Sequence, residues 1–145
     1  MTINLEIHKN HPIFVCPITG DSFDNFGDDT PYPVINDIPR FVLPSSYADA
    51  FGDQWLRWRK TQLDSFSGTT ISRDRLYRCL GPIGRNLLSS SSICSVLEVG
   101  AGAGRFTEIL LEYPSVYLTS LDLSKAVDAN SENFPQDLKH RNCSS

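Results

Sequence analysis

Three glycines and two carboxylates in this chain have the types and the spacing to hold a nucleotide. Gly100, Gly102 and Gly104 occupy alternate positions directly after the apolar run Val96-Leu97-Glu98-Val99. Glycines so placed let the chain turn sharply, let the backbone come close to a ligand, and let a helix pack near a strand. Ala101, between the first two, belongs to the same ligand-facing stretch. Asp122 lies 18 residues beyond Gly104. That is close to the offset of roughly 20 residues at which a carboxylate accepts a hydrogen bond from each hydroxyl of a ribose. Glu98 is a second carboxylate, two residues ahead of the first glycine.

The elements that must position these groups are a strand, a turn, a helix and a second strand. The apolar run ending at Val99 predicts the first strand. Phe106, Ile109, Leu110 and Tyr113 fall at i, i+3, i+4 and i+7, which predicts a helix straight after the glycines. Val116 to Leu121 is rich in β-formers and predicts the second strand, with Asp122 at its end. Ser124 can then cap a helix carrying Val127 and Phe134, ended by Pro135. The pattern is the first part of a nucleotide-binding βαβ unit, so the fold class is α/β.

Charge bears on which nucleotide. The dinucleotide fingerprint is G-x-G-x-x-G, and Arg105 stands where its last glycine belongs. A negative Glu98 at the strand end repels a pyrophosphate. The ammonium and sulfonium of S-adenosyl-L-methionine are attracted by it, and the carboxylate of that cofactor can take the helix N-terminus.

Glu98-x-Gly100-x-Gly102-x-Gly104, followed by Leu121-Asp122-Leu123-Ser124, resembles the first two motifs of class I S-adenosylmethionine-dependent methyltransferases. Tyr47 to Trp55 and Lys60 to Asp64 resemble the helical lead-in of a subgroup with a small zinc-ribbon-like segment ahead of the methyltransferase domain. The likeness spans residues 12 to 134 and is strongest over the stretch from Val96. It implies S-adenosyl-L-methionine as cofactor, a small-molecule or otherwise undefined methyl acceptor, and cofactor contacts from Glu98, Gly100, Ala101, Gly102, Gly104 and Asp122. Glu98 would orient the methionine amine and Asp122 would hold the ribose. In that family a third strand carries a residue that reads the adenine, and later strands carry the acceptor pocket.

Residues 136–145 are polar and carry no strand pattern, so they are expected to form an unstructured tail, with His140 at its surface. Only two parallel strands are then expected, an incomplete Rossmann-like doubly wound sheet. The chain reads as the N-terminal part of a methyltransferase, truncated and inactive alone, with no identifiable catalytic base. The alternatives are a non-catalytic Rossmann-like binding module and a nicotinamide-dependent oxidoreductase fragment.

The remaining organisation follows from composition. Residues 1–44 read as a small β-rich, zinc-ribbon-like segment, with Asn36-Asp37 as a turn and Gly20 to Thr30 as a loop. His8, His11 and Cys16 offer three metal ligands where a structural zinc needs four, so no metal is expected. Residues 45–92 form a helical lead-in. Tyr47, Phe51, Trp55 and Trp58 share a face expected to dock on the sheet, and Ser72 can cap a helix that stops at Gly81-Pro82. Residues 93–135 form the βαβα part, where Cys94 is expected to be buried. A net charge of −4 in 145 residues gives no field to gather nucleic acid. There is neither an 18-residue apolar run nor a basic-then-apolar leader, so no membrane partner is expected. Four dispersed cysteines fit a reducing cytoplasm.

Overall fold

The two β-forming runs pair as parallel neighbours, Cys94 opposite Val116 through Val99 opposite Leu121. A computed structural model describes residues 14–15, 20, 22–23, 32–41, 54–137 and 139–144. Its elements are β1 (Phe14–Val15), β2 (Ser22–Phe23), β3 (Val34–Ile35), β4 (Ile38–Pro39), α1 (Asp64–Ser67), α2 (Ile71–Leu88), β5 (Cys94–Val99), α3 (Thr107–Leu110), β6 (Val116–Asp122), α4 (Ala126–Asn133) and β7 (His140–Ser144). Residues 54–57 are also helical. The result is a mixed α/β architecture around a parallel sheet, in which α3 and α4 supply the crossovers that parallel strands require.

The expected unstructured tail over 136–145 is instead a third strand. β7 pairs with β6 in parallel, Leu118 opposite His140 through Asp122 opposite Ser144, so the sheet order is β5-β6-β7. Periodicity misses this strand because the side chains it buries are polar. His140 is 1% exposed and Asn142 2%.

One face of the sheet is covered and half of the other is open. Leu76 and Leu88 of α2, Ile109 and Leu110 of α3, and Val116 and Leu118 of β6 form one apolar cluster, with Cys94 and Val96 packed against it. Cys94 is half-buried rather than buried. On the opposite face of β5, Leu97 and Val99 are 53% and 71% exposed, and the outer edge of β5 has no partner strand among the described residues. Toward β7 that face is covered by aromatic side chains of the N-terminal segment. The Phe14 ring centroid lies 4.6 Å from the Arg141 guanidinium carbon and 5.6 Å from the Phe41 ring.

The N-terminal segment adds its own backbone to the sheet. Asn36 and Asp37 have φ of 54° and 61°, the left-handed pair of a tight two-residue hairpin between β3 and β4. The chain then runs alongside β7. Arg40 bridges to Ser144, the Phe41 N–H donates to the Ser144 carbonyl at 2.7 Å, and the Arg40 guanidinium pairs with Asp128 of α4. Within the loop expected over Gly20–Thr30, β2 pairs antiparallel with β1. His8, His11 and Cys16 lie outside the described residues.

The lead-in differs from expectation in two ways, although the first segment of α2 does stop at Gly81-Pro82 as expected. Gly81 takes φ 62° and ψ −172°, and Pro82 opens a second segment whose first turn needs no proline N–H. Trp58 is 58% exposed rather than docked, while Trp55 is half-buried. Ser72 does not cap α2 with its side chain. Its N–H donates at 3.0 Å to Asp64 Oδ1, and the Arg73 N–H donates at 2.9 Å to Asp64 Oδ2. Asp64, 8% exposed, is therefore the cap. Burial pushes its carboxyl up, but the bonds from Ser72 and Arg73 together outweigh that and hold it below its ordinary value. A carboxyl lowered on folding stabilises above its unfolded pKa and loses that contribution as it protonates. Asp64→Ala should cost about 1–2 kcal/mol in urea unfolding at neutral pH. The gap to the native chain should close as the pH falls below the ordinary carboxyl value of 3.8.

Candidate functional site

Where β5 ends, the backbone enters a left-handed turn that only glycine takes readily. Gly100, Gly102 and Gly104 have φ of 74°, 56° and 100°. Their surroundings differ. A Cβ on Gly100 or Gly102 would meet nothing within 4 Å. A Cβ on Gly104 would lie 2.5 Å and 2.8 Å from the Phe134 ring and 3.4 Å from Asn130 Nδ2. Gly104 thus lets the end of α4 pack tightly, whereas Gly100 and Gly102 keep space open. That space is a cleft of about 210 Å³ lined by the glycine loop with Trp55, Gln62, Arg75 and Arg105. Ala101 also lines it, though its side chain is buried.

Asp122 straps the loop to the end of β6. Its Oδ2 accepts the Gly102 N–H at 2.7 Å, and its Oδ1 accepts the Ser124 N–H at 2.8 Å and the Ser124 hydroxyl at 2.7 Å. The Ser124 hydroxyl oxygen in turn accepts the Ala126 N–H at 3.1 Å and so starts α4. A second strap comes from Asn133, whose Nδ2 donates to the Ala103 carbonyl at 2.8 Å.

Glu98 lies beneath the loop and is 9% exposed. Its Oε2 accepts the Thr107 hydroxyl at 2.6 Å and the Ser120 hydroxyl at 3.1 Å. Burial raises its pKa to about 7, against the lowering effect of those two bonds, and the Asp122 charge raises it further. Thr107 in turn accepts from Asn130 Nδ2 at 2.9 Å. Glu98 is therefore a buried partner of Thr107 and Ser120, and Arg75 and Arg105 are among the residues that line the cleft.

Sequence spacing brings Gly100, Ala101, Gly102, Gly104, Glu98 and Asp122 into one neighbourhood, as it predicts. It does not separate Gly100, Ala101 and Gly102, which line the cleft, from Gly104, Glu98 and Asp122, which do not. It also misses Trp55, Gln62 and Arg75, which reach the cleft from the lead-in and have no motif of their own. Arg105, noted only as an interruption of the dinucleotide pattern, is a cleft residue. His140, expected at the surface, is buried beside Ser120, with Nε2 3.2 Å from the Ser120 hydroxyl oxygen. Among the described residues, no cluster of His, Cys, Asp or Glu could hold a metal ion, and no helix is long and apolar enough to cross a membrane. Compared with known protein families and with curated proteins, the chain matches no family model and no curated protein.

Two outcomes follow from this geometry. Gly104→Ala should destabilise the fold by about 3 kcal/mol, combining a clash with Phe134 and a strained φ. Gly100→Ala, strained only in φ, should cost about 1 kcal/mol; urea midpoints of both variants check the contrast.

The second outcome concerns Glu98. A carboxyl whose pKa rises on folding contributes stability that is complete below its unfolded value and is lost as the pH rises through the folded one. The native chain should therefore lose stability between pH 4.5 and about 7. The loss should be on the order of 3 kcal/mol. Glu98→Gln, which stays neutral, should flatten that part of the pH profile in urea titrations.

Proposed function

We propose that the Gly100–Gly104 loop binds S-adenosyl-L-methionine, and that the chain is the cofactor-binding portion of a class I methyltransferase. The order β5-β6-β7 fits one half of a doubly wound Rossmann-like sheet, the 1-2-3 side of the order 3-2-1-4-5-6. The observation that carries the reading is the empty space over Gly100 and Gly102, where any Cβ would project into the cleft. A ligand can therefore approach this backbone closely.

When bound, the cofactor supplies an activated methyl group on a sulfonium with a good leaving group. This chain's own residues bind and orient. Trp55 offers the cleft a flat apolar wall, and Arg75 and Arg105 offer guanidinium donors to the methionine carboxylate. Asp122 accepts three hydrogen bonds, which leaves about one of the four lone-pair positions of a carboxylate for a ribose hydroxyl. Glu98 accepts the Thr107 and Ser120 hydroxyls beneath the loop and would orient the methionine amine through water. The dispersed thiols suit a reducing cytoplasm, and Cys79, Cys94 and Cys143 are free.

Arg75 and Arg105 also favour a second reading, a phosphate-bearing nucleotide such as a nicotinamide dinucleotide. Calorimetry of the chain against S-adenosylmethionine and against NAD separates the two. S-adenosylmethionine should bind in preference, and Gly102→Val should abolish that binding while circular dichroism still reports a folded sheet. Unchanged affinity in Gly102→Val would remove the loop from the site, and preference for NAD would replace the methyltransferase reading.

A further inference from the structure

Three strands send polar side chains into the same covered face of the sheet. Glu98 of β5 stands opposite Ser120 of β6 in the parallel register, and His140 of β7 lies on the far side of Ser120. Ser120 Oγ is 3.1 Å from Glu98 Oε2 and 3.2 Å from His140 Nε2. Ser120 is 0% exposed and His140 1%. His140 Nδ1 lies 3.1 Å from the Phe134 carbonyl oxygen. A carbonyl can only accept, so Nδ1 carries a proton.

A hydroxyl has a single proton to give; Glu98 and His140 are the two near groups that could take it, with Thr107 Oγ1 farther off at 3.5 Å. With Glu98 ionised and His140 neutral, Nε2 and Ser120 Oγ would face each other lone pair to lone pair. With both protonated, two donors would point at Ser120, whose own proton would lose both partners. One proton shared between the outer groups satisfies every contact. Either Glu98 donates to Ser120 and Ser120 donates to His140, or His140 donates to Ser120 and Ser120 donates to Glu98. The two arrangements interconvert by moving one proton between Glu98 and Ser120 and another between Ser120 and His140. No other bond changes, and the net charge stays zero.

Both ends of this chain of bonds reach the wall behind Gly104. Glu98 accepts from Thr107, which accepts from Asn130 Nδ2. His140 donates to the Phe134 carbonyl. Asn130 and Phe134 are the two residues that a Cβ on Gly104 would strike. We propose that Glu98 and His140 hold one proton between them through the Ser120 hydroxyl, and that His140 is thereby a positioning residue for the glycine loop.

The contacts of the charged groups on the described elements nearby are consistent with this assignment. On β6, Asp122 faces Glu98 and favours the protonated acid. On α3, Glu108 is turned away to the N–H groups of Asp64 and Ser65. On α4, Asp128 is paired with Arg40. Next to β7, Asp137 accepts the backbone N–H of His140, and Asn142 is neutral. Arg141 points to the opposite face, where it meets Thr119 and Phe14.

The test is nuclear magnetic resonance on the full chain, with labelled histidine nitrogens and glutamate carboxyl carbons and no ligand added. It therefore stands or falls apart from the cofactor reading. The Glu98 carboxyl carbon, the His140 ring nitrogens and the Gly102 and Gly104 amides should change with one common midpoint on raising the pH. In Glu98→Gln the His140 ring should stay neutral, with its proton on Nδ1, through that midpoint. Ser120→Ala should split the midpoint in two, and Ser120→Thr, which keeps the hydroxyl, should restore it. Separate midpoints for Glu98 and His140 in the native chain would overturn the proposal, whether or not the variants fold. So would glycine amides that ignore the titration.

Discussion

A carboxylic acid taken almost wholly out of water has to be answered by its surroundings, and much of this structure is that answer. Glu98 stands at the end of the edge strand, under the turn that the three glycines make. Burying an ionised carboxylate without partners is costly enough that the group neutralises instead. β6 responds with Ser120, α3 with Thr107, α4 with Asn130 supporting Thr107, and β7 with His140 behind Ser120. Four elements that share no sequence pattern thus meet at one point. The apolar cluster between α2, α3 and β6 supplies the non-directional part of their attraction. The polar contacts fix which residues face which, because a misplaced strand would leave buried donors and acceptors unmatched.

The glycine loop is held on two sides for a related reason. Glycine takes these left-handed conformations readily but leaves them as readily, so the surroundings must fix the loop. Asp122 grips the N–H of Gly102 from the end of β6, and Asn133 grips the carbonyl of Ala103 from α4. Both act on the backbone of the turn, which leaves its cleft side bare. A loop so held has little entropy left to lose when something settles on it.

The part of the fold that was legible in the sequence is the part built from apolar periodicity. The runs before Gly100 and before Asp122, and the Asn36-Asp37 turn, lie where their residue types place them. β7 was not legible, because His-Arg-Asn-Cys-Ser has the composition of a loop and is a strand only because β6 offers polar partners. The Gly81-Pro82 pair reads as a stop and is one, and the second helical segment begins directly after it at Pro82. In the site, spacing located the loop and both carboxylates. It could not say which way a side chain turns, so the bonds that Glu98 accepts from Thr107 and Ser120 were not legible in it. The cleft residues Trp55, Gln62 and Arg75 come from a distant segment, and tertiary packing alone brings them in.

The bridge between Arg40 and Ser144 has a consequence for how the molecule is made. Its two halves are 104 positions apart in the chain, and the Arg40–Asp128 pair spans nearly as far. At ribosomal rates of about 5–20 residues per second, the early hairpin waits roughly 5–20 s for its partners. During that interval Phe14 lacks the sheet face on which it meets Arg141. The Arg40–Ser144 bridge joins residues 104 positions apart, so this loop closure is slow beside the local pairing within each hairpin. The β3–β4 hairpin can therefore form early, but it joins the sheet only once β7 exists to receive it.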